Sequence, residues 1–218
     1  MSNPLPPANP SIVEAWLRAR SHSRGLPQPV ADHGGLRVDT ASAEETARYV
    51  FAEPVEGIRR LAESIGEPRI FIKLCRPVET LRALLPAHWT VRPVTVMMTG
   101  PDELPPMPPL PHGFSLETTT VDGRSQVLVL AADGQVAARG HAAEHGGVFA
   151  YDRIRTEAAF QRMGLGTIMM TALGAARRSP SSLRILAATD AGRALYETLG
   201  WTIYSPYSTA SIEAADLP

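Results

Sequence analysis

The chain has 218 residues, of which 44% are hydrophobic, and its formal net charge is −1. This length allows one large folded domain or two small ones, and the near-neutral charge gives no reason to expect nucleic acid or an acidic membrane as a partner. No segment reaches the ~18 consecutive apolar residues of a membrane span, and the proline-rich start lacks the regions of a signal peptide, so the expected location is the cytoplasm.

The N-terminal part begins with a helical pattern. Ile12, Val13, Trp16 and Leu17 fall on one helical face and predict a short amphipathic helix over residues 11–20. A proline- and glycine-containing loop is then expected over residues 21–35, followed by an alternating strand over residues 36–40.

The next segment predicts alternating helices and strands. Ser42 and Glu45 have the spacing of a capping box, which predicts a helix running to about Phe51. A helical face over residues 55–65, a buried strand at 69–75 and a helix at 77–85 follow. A strand is expected at 90–98, and Pro93 places that strand at an edge or a bulge.

A proline-rich segment over residues 101–111 marks the clearest change in composition. It contains six prolines in eleven residues, which excludes a helix and is typical of a stiff, extended connector. We therefore predict two regions, an α/β region over residues 1–108 and a second domain over residues 109–218. A long loop inside a single domain is the alternative.

The C-terminal part predicts a meander of about four strands, followed by a helical period from Gly164. Asp133 and Gly134 give a hairpin signal, and Gly146 and Gly147 give a second turn. The expected strands cover residues 114–121, 125–131, 135–144 and 148–156. After the helix come a strand at 183–188, a helix at 191–199 and a last strand from Trp201.

The segment between the fourth of these strands and the following helix carries the chemistry. It reads Gln161, Arg162, Met163, Gly164, Leu165 and Gly166. Glycines let backbone amides approach a ligand, and the first unpaired N–H groups of a helix attract anions. The segment therefore predicts a cradle for a diphosphate, although glycine spacing alone also suits tight packing of a strand against a helix. It matches neither a Rossmann loop nor a Walker A loop.

This segment resembles the coenzyme A (CoA) loop of the GNAT superfamily, Q/R-x-x-G-x-G/A, which lies between the fourth strand and the third helix of that fold. Gln161, Gly164 and Gly166 fill its places in order. Residues 191–201 are similar to a second family block, A-x-x-L-Y-x-x-x-G-F, with Trp201 in place of the commoner Phe. The resemblance covers residues 135–205 and implies a GNAT fold, a mixed α/β sheet that binds acyl-CoA.

The resemblance also implies roles for individual residues. Backbone groups near Ile154 and Thr156 would pair with the pantetheine arm of acetyl-CoA, and the amides of residues 162–166 would hold its pyrophosphate. Tyr196 matches the tyrosine that protonates the departing thiolate in many members, although a core tyrosine is the alternative. Many members carry Asn where this chain has Asp190, which we expect to cap the following helix.

The remaining assignments concern the base, metals and cysteine. Glu144, His145 and Asp152 are candidates for the group that deprotonates the amine, although each is also typical of a solvated surface residue. The histidines show no metal-ligand spacing, so no metal is expected. Cys75 lies in an apolar run and is expected to be buried and inert.

The sequence thus predicts an acetyl-CoA-dependent N-acetyltransferase acting directly on a primary amine of a small molecule or peptide. The alternative is a CoA-binding module with a sensing or interaction role and little turnover. Residues 1–108 are open to three interpretations: a degenerate second GNAT-like half, a lid over the acceptor pocket, or elements that complete the C-terminal sheet. The oligomeric state is also open, with a homodimer as one option.

Overall fold

The computed structural model describes residues 6–213 and shows a mixed α/β fold. Its helices are α1 (Pro10–Ser23), α2 (Glu56–Ser64), α3 (Val78–Arg82), α4 (Leu165–Gly174) and α5 (Asp190–Thr198), with a 3-10 turn at Ala158–Phe160. Its strands are β1 (Val30–Asp32), β2 (Gly35–Asp39), β3 (Ala47–Phe51), β4 (Ile70–Leu74), β5 (Thr90–Val91), β6 (Thr95–Thr99), β7 (Phe114–Val121), β8 (Arg124–Ala131), β9 (Val136–His145), β10 (Val148–Thr156), β11 (Leu183–Thr189) and β12 (Thr202–Ser211).

The strands of the described residues form one sheet in the order β1-β2-β3-β4-β12-β6-β11-β10-β9-β8-β7, with β5 paired to β12. The β3–β4 and β10–β11 pairs are parallel, and the other pairs are antiparallel. The predicted four-strand meander is confirmed as β7 to β10. No helix within residues 6–213 is long and apolar enough to cross a membrane.

Strand β6 joins the N-terminal region to the rest of the sheet. It precedes the proline-rich connector, yet it lies between β11 and β12, where Thr99 pairs with both Ile185 and Thr202. The connector is also held in place, because the Arg184 guanidinium donates to the carbonyl of Pro101 at 2.6 Å. Elements before residue 108 therefore complete the C-terminal sheet, as one of the three interpretations expected. The division into two domains stays a prediction.

Helices cover both faces of the sheet and create its core. On one face, α4 and α5 pack against β8 to β11 through residues that include Phe149, Met169 and Trp201. On the other face, α1 packs against β9 and β10 and buries Trp16 and Leu17 completely. The helices α2 and α3 cover the part of the sheet that contains β3 and β4. This two-faced arrangement leaves β10 and β11 between α1 and α5.

The N-terminal helix is confirmed and is longer than its apolar pattern predicted. Asn9 caps it by accepting a hydrogen bond from the Ser11 amide at 2.9 Å, and a proline occupies the first helical position. The helix continues past residue 20 to Ser23, and Arg24 is its C-cap. Its last turn therefore places Arg20 and Arg24 over the sheet.

The helix predicted from Ser42 to Phe51 is wrong. Ser42 and Glu45 do bond each other, since the Glu45 amide donates to Ser42 Oγ at 3.0 Å, but they close a turn instead of opening a helix. Strand β3 follows and is buried along its whole length in a parallel pair with β4. The β-branched and aromatic residues of β3 fit this doubly covered strand, so sheet pairing overrides the local capping signal.

Of the two positions predicted for the strand near Pro93, the edge is wrong and the bulge is confirmed, because the three residues between β5 and β6 lie opposite only two residues of β12. Arg92, Pro93 and Val94 separate β5 from β6, so the proline lies outside the ladder. Because the proline leaves every amide of β6 available, that strand can pair on both sides in the middle of the sheet.

Candidate active site

Strands β10 and β11 diverge at the centre of the molecule. They pair from Val148 to Ala150 of β10 and then separate, while β11 stays paired with β6 as far as Thr189. The register of β10 against β9 shifts between Asp152 and Arg155, and Arg153 within this bulge has a φ of 52°. A bulge bends its strand and turns side chains in new directions. The result is a gap between two strand ends that opens on both faces of the sheet.

The loop before α4 has the conformation of an anion cradle. Arg162 and Gly164 both have left-handed backbones, with φ values of 63° and 78°. Helix α4 starts immediately after Gly164, and its first internal hydrogen bonds run from the Thr167 and Ile168 amides to the Gly164 carbonyl. The earlier amides of the loop and first turn are thus outside the helical ladder, where they can meet a negatively charged ligand.

The two glycines of this loop serve different purposes. A Cβ atom built on Gly164 would meet no atom within 4 Å, so the space in front of it is open. A Cβ atom on Gly166 would lie 2.6 Å from Cδ2 of Leu195 on α5. Gly164 therefore gives a ligand access to the backbone, whereas Gly166 allows α4 and α5 to approach closely.

A groove with a volume of about 600 Å³ runs from this loop to the gap between β10 and β11. Its lining includes seven of the eight residues predicted to bind the cofactor, namely Ile154, Thr156, Gln161, Arg162, Gly164, Leu165 and Gly166. The eighth, Met163, is 43% exposed and does not line the groove. We refer to this feature as the donor groove.

Tyr196 lies at the inner end of the donor groove. Helix α5 places it there, with Thr189 capping the helix by accepting a long hydrogen bond of 3.4 Å from the Gly192 amide. The cap was predicted at Asp190, which is instead the first residue of the helix. Tyr196 is 7% exposed and packs against Trp201, and burial raises the pKa of its phenol to about 12.

A second, smaller cavity with a volume of about 200 Å³ lies on the α1 face of the sheet. We call it the acceptor cavity. It shares Ile154, Thr189 and Tyr196 with the donor groove. The two spaces therefore meet at the gap between β10 and β11, beside one buried tyrosine.

Comparison with solved structures identifies this architecture. A GCN5-related N-acetyltransferase from Kribbella flavida superposes with a TM-score of 0.65 over 95% of this chain and 96% of its own, at 15% sequence identity. The chain has the GNAT fold.

Other structures with the GNAT fold give the same result. A GCN5-related N-acetyltransferase-like protein from Streptococcus suis 89/1591 matches with a TM-score of 0.57 and 13% identity over 83% of this chain and 84% of its own. A tandem GNAT protein from the clavulanic acid biosynthesis pathway matches with a TM-score of 0.52 and 17% identity over 72% of this chain and 68% of its own. No protein-family model and no curated protein sequence matches the chain.

Asp152, one of the residues considered as a base, is an ion-pair partner within this GNAT fold. Arg20 donates to it at 3.1 Å, and Arg24 donates to both of its oxygens at 2.5 and 2.8 Å. Burial would raise the pKa of this carboxyl, but the two guanidinium groups outweigh it and hold the pKa well below its usual range. The carboxylate lines the acceptor cavity but has little tendency to accept a proton.

Glu144 and His145 lie away from both cavities. Glu144 accepts hydrogen bonds from the Arg178 and Ser179 amides at 3.0 and 3.2 Å and from the Ser182 hydroxyl, so it organises the loop after α4. Burial would raise the pKa of Glu144, but these hydrogen bonds outweigh it and lower the pKa. His145 is exposed at the end of β9. Neither lines the donor groove or the acceptor cavity, so this geometry favours neither as the base.

Sequence reasoning missed His141, which lies opposite Asp152 on β9. His141 lines a cavity of about 540 Å³ that adjoins the acceptor cavity through Arg153 and Ile154. Burial, followed by the positive charge of Arg153, lowers the pKa of this imidazole. The lowered pKa favours the neutral form of the ring. The bulge in β10 could not be read from the local pattern, and it is this bulge that opens the site beside His141. Within residues 6–213, no group of three or more His, Cys, Asp or Glu side chains is arranged to hold a metal.

Proposed function

We propose that this protein is an N-acyltransferase that transfers the acetyl group of acetyl-CoA directly to a primary amine. The observation that carries the proposal is the meeting of the donor groove and the acceptor cavity at Tyr196. A direct transfer requires two substrates to reach one point from different sides, since the amine attacks the thioester without an acyl-enzyme. The gap between β10 and β11 provides that point.

The donor groove suits a nucleotide with a diphosphate. The open space before Gly164 and the free amides at the start of α4 fit an anionic group, and Arg162 lines the same part of the groove. The exposed backbone of β10 beyond its pairing with β11 suits the amide-containing pantetheine arm, with Ile154 and Thr156 along the groove. Acetyl-CoA supplies the activated acyl group as a thioester.

In the proposed reaction, the amine nitrogen bonds to the thioester carbonyl carbon, and the carbon–sulfur bond breaks. The sulfur then carries negative charge, which the Tyr196 hydroxyl can stabilise. Because the phenol has a pKa of about 12, it is protonated at neutral pH. A thiol has a pKa of ~8.5, so its thiolate is a weaker base than this phenolate. We therefore expect Tyr196 to donate a hydrogen bond as charge develops, with water completing the proton transfer.

The amine must also lose a proton before or during its attack. Asp152 and Glu144 have lowered pKa values and are held by other groups, so they are poor proton acceptors. The pKa of His141 is also lowered, but for an imidazole this favours the neutral ring, which has a free nitrogen to accept a proton. His141 lies on the acceptor side, in the cavity that adjoins the shared gap through Arg153 and Ile154. We therefore propose that His141 accepts the proton of the amine through a bridging water molecule.

The test measures release of free thiol from acetyl-CoA in the presence of a panel of primary amines. Calorimetry with acetyl-CoA alone is run in parallel. We expect binding and amine-dependent thiol release together. Binding without release by any amine would favour the alternative, a CoA-binding sensing module. If acetyl-CoA does not bind at all, both the proposed reaction and the assignment of the donor groove to acetyl-CoA are refuted.

A further inference from the structure

The charged residues that line the acceptor cavity are mainly positive. Arg20 and Arg24 reach it from the end of α1, and Arg153 reaches it from the bulge in β10. Asp152 is its one carboxylate among the described residues. Arg20 and Arg24 share that carboxylate, while Arg153 has no carboxylate within 4 Å of its guanidinium in residues 6–213.

The adjoining cavity extends this charge. Arg139 and Arg155 line it together with Arg153, and both pair with Glu157, at 3.1 and 3.2 Å. Five arginines thus line the two cavities, and two carboxylates, Asp152 and Glu157, pair with four of them, which leaves an excess of three positive charges. The whole chain, by contrast, has a net charge of −1.

The buried part of this cluster has unused hydrogen-bonding capacity. Arg20 Nη1 is buried and has no hydrogen-bond partner among the described residues. Burial and then the neighbouring Arg20 lower the pKa of Arg24, whereas for Arg20 the charge of Asp152 and other groups outweigh burial and raise the pKa. A buried donor without a partner and an excess of like charge are both costly, and an anion would relieve both.

Positive charge continues behind Arg20. Burial, followed by the charge of Arg20, lowers the pKa of Arg48 on β3 to about 10 and that of Lys73 on β4 to about 7. Glu45 partly compensates Arg48 through a contact of 2.7 Å. With a pKa of about 7, Lys73 is only partly charged at neutral pH, so the additional positive charge behind Arg20 comes mainly from Arg48.

We propose that the acceptor amine of this protein carries an anionic group, a carboxylate or a phosphate, and that Arg20 and Arg153 bind that group in the acceptor cavity. This inference rests on the proposed function, because it concerns the second substrate of that reaction. The cavity of about 200 Å³ suits a small amine. An arginine bound to a carboxylate or phosphate makes charge-assisted hydrogen bonds, which are stronger than neutral ones.

The test compares amines in pairs that differ in the anion. Tyrosine is compared with tyramine, leucine with isoamylamine, and O-phosphoethanolamine with ethanolamine, by thiol release from acetyl-CoA. We expect the anionic member of at least one pair to have a kcat/KM at least ~10-fold higher. The amino acids test the carboxylate and O-phosphoethanolamine tests the phosphate.

Substitutions of Arg153 test whether this side chain binds the anionic group of the acceptor. Arg153→Gln should raise the KM of the preferred anionic amine at least ~10-fold and leave the Kd of acetyl-CoA unchanged, while Arg153→Lys should restore part of the loss. Arg18→Gln is the matched control, because Arg18 lies on α1, pairs with Glu14 and lines neither cavity. An equal effect of Arg153→Gln on neutral and anionic amines would overturn the assignment.

The outcomes separate this inference from the proposed function. Turnover without a preference for the anionic member of any pair would overturn the inference and leave the acyltransferase proposal intact. If no pair is turned over, calorimetry of the same amines with acetyl-CoA-saturated protein decides. Binding of anionic members alone supports the inference, and binding of neither member overturns it. Failure to bind acetyl-CoA would instead refute the proposed function.

Discussion

Replacing Gly164 with Asp tests whether the loop before α4 holds a diphosphate. A Cβ atom at this position would meet no protein atom within 4 Å, so the substitution causes no clash. The left-handed backbone, with a φ of 78°, disfavours a side chain by about 1 kcal/mol, and Asp tolerates this conformation better than most residues. We therefore expect a folded protein with a small loss of stability.

The expected loss of acetyl-CoA affinity comes from charge. The carboxylate would enter the open space that the diphosphate is proposed to occupy. At about 5 Å and an effective dielectric constant of about 20, two like unit charges repel by roughly 3 kcal/mol. Screening and side-chain movement reduce this value, so we expect at least a tenfold rise in Kd, about 1.4 kcal/mol.

Gly164→Asn is the matched control for this experiment. Asn has nearly the same shape as Asp and also tolerates a left-handed backbone, but it carries no charge. Calorimetry with acetyl-CoA should show a clearly larger loss for Asp than for Asn, and raising the salt concentration should narrow the difference. Equal affinities of the two folded variants would refute the diphosphate cradle and leave the loop as a packing element.

Three further predictions concern the framework of the site. Gly166→Ala should lower the free energy of unfolding by about 1–3 kcal/mol, measured by denaturant titration, because its Cβ would overlap Leu195; a neutral effect would contradict the close packing of α4 and α5. A fragment starting at Leu110 lacks β6 and α1, so its circular dichroism and thermal melt should show no cooperative fold; a cooperative melt with acetyl-CoA binding would instead support the predicted domain boundary. Asp152→Asn should destabilise the protein by about 3–5 kcal/mol at pH 7, since it leaves Arg20 and Arg24 unpaired. Because the pKa of Asp152 is lowered in the folded state, its contribution to the free energy of unfolding is present above the unfolded pKa of about 4 and is lost as the pH falls from there towards the folded pKa. The stabilities of the wild type and Asp152→Asn should therefore converge at low pH, and a constant difference would contradict the ion-pair account.

The parts of the site that lie close together in the chain were predictable. The loop from Gln161 to Gly166 and the helix that carries Tyr196 are each short segments whose residue types fix a local conformation. The structure places both segments on one groove. The local pattern could not show that Gly164 and Gly166 have different roles, because the side chain that packs against Gly166 belongs to Leu195 in another helix.

The parts that depend on distant residues were not predictable. Arg20 and Asp152 are 132 positions apart, so no local period indicates that they meet. Glu144 had the residue type of a base, but its partners lie in a loop more than thirty positions later. The turn at Ser42 and Glu45 shows the same limit, because a correct local bond was followed by a strand that pairs with β4. In each case tertiary contacts decide what a local signal leaves open.

Tyr196→Phe tests the central claim that the donor groove and the acceptor cavity meet at a catalytic hydroxyl. The substitution keeps the buried ring and its contact with Trp201 and removes only the oxygen. With an accepted amine, under conditions where chemistry limits the rate, we expect kcat to fall by ~10² or more while the Kd of acetyl-CoA changes little. Tyr204→Phe is the control, since Tyr204 bonds the Asn9 amide at 2.7 Å and lines neither cavity.

The dependence on the leaving group makes this measurement specific. A thioester whose thiol has a lower pKa needs less stabilisation at sulfur, so the loss in Tyr196→Phe should shrink with such a donor. A loss that stays the same for every donor would assign Tyr196 a positioning role. Wild-type turnover in the folded variant would contradict the account directly and reduce Tyr196 to a residue of the core.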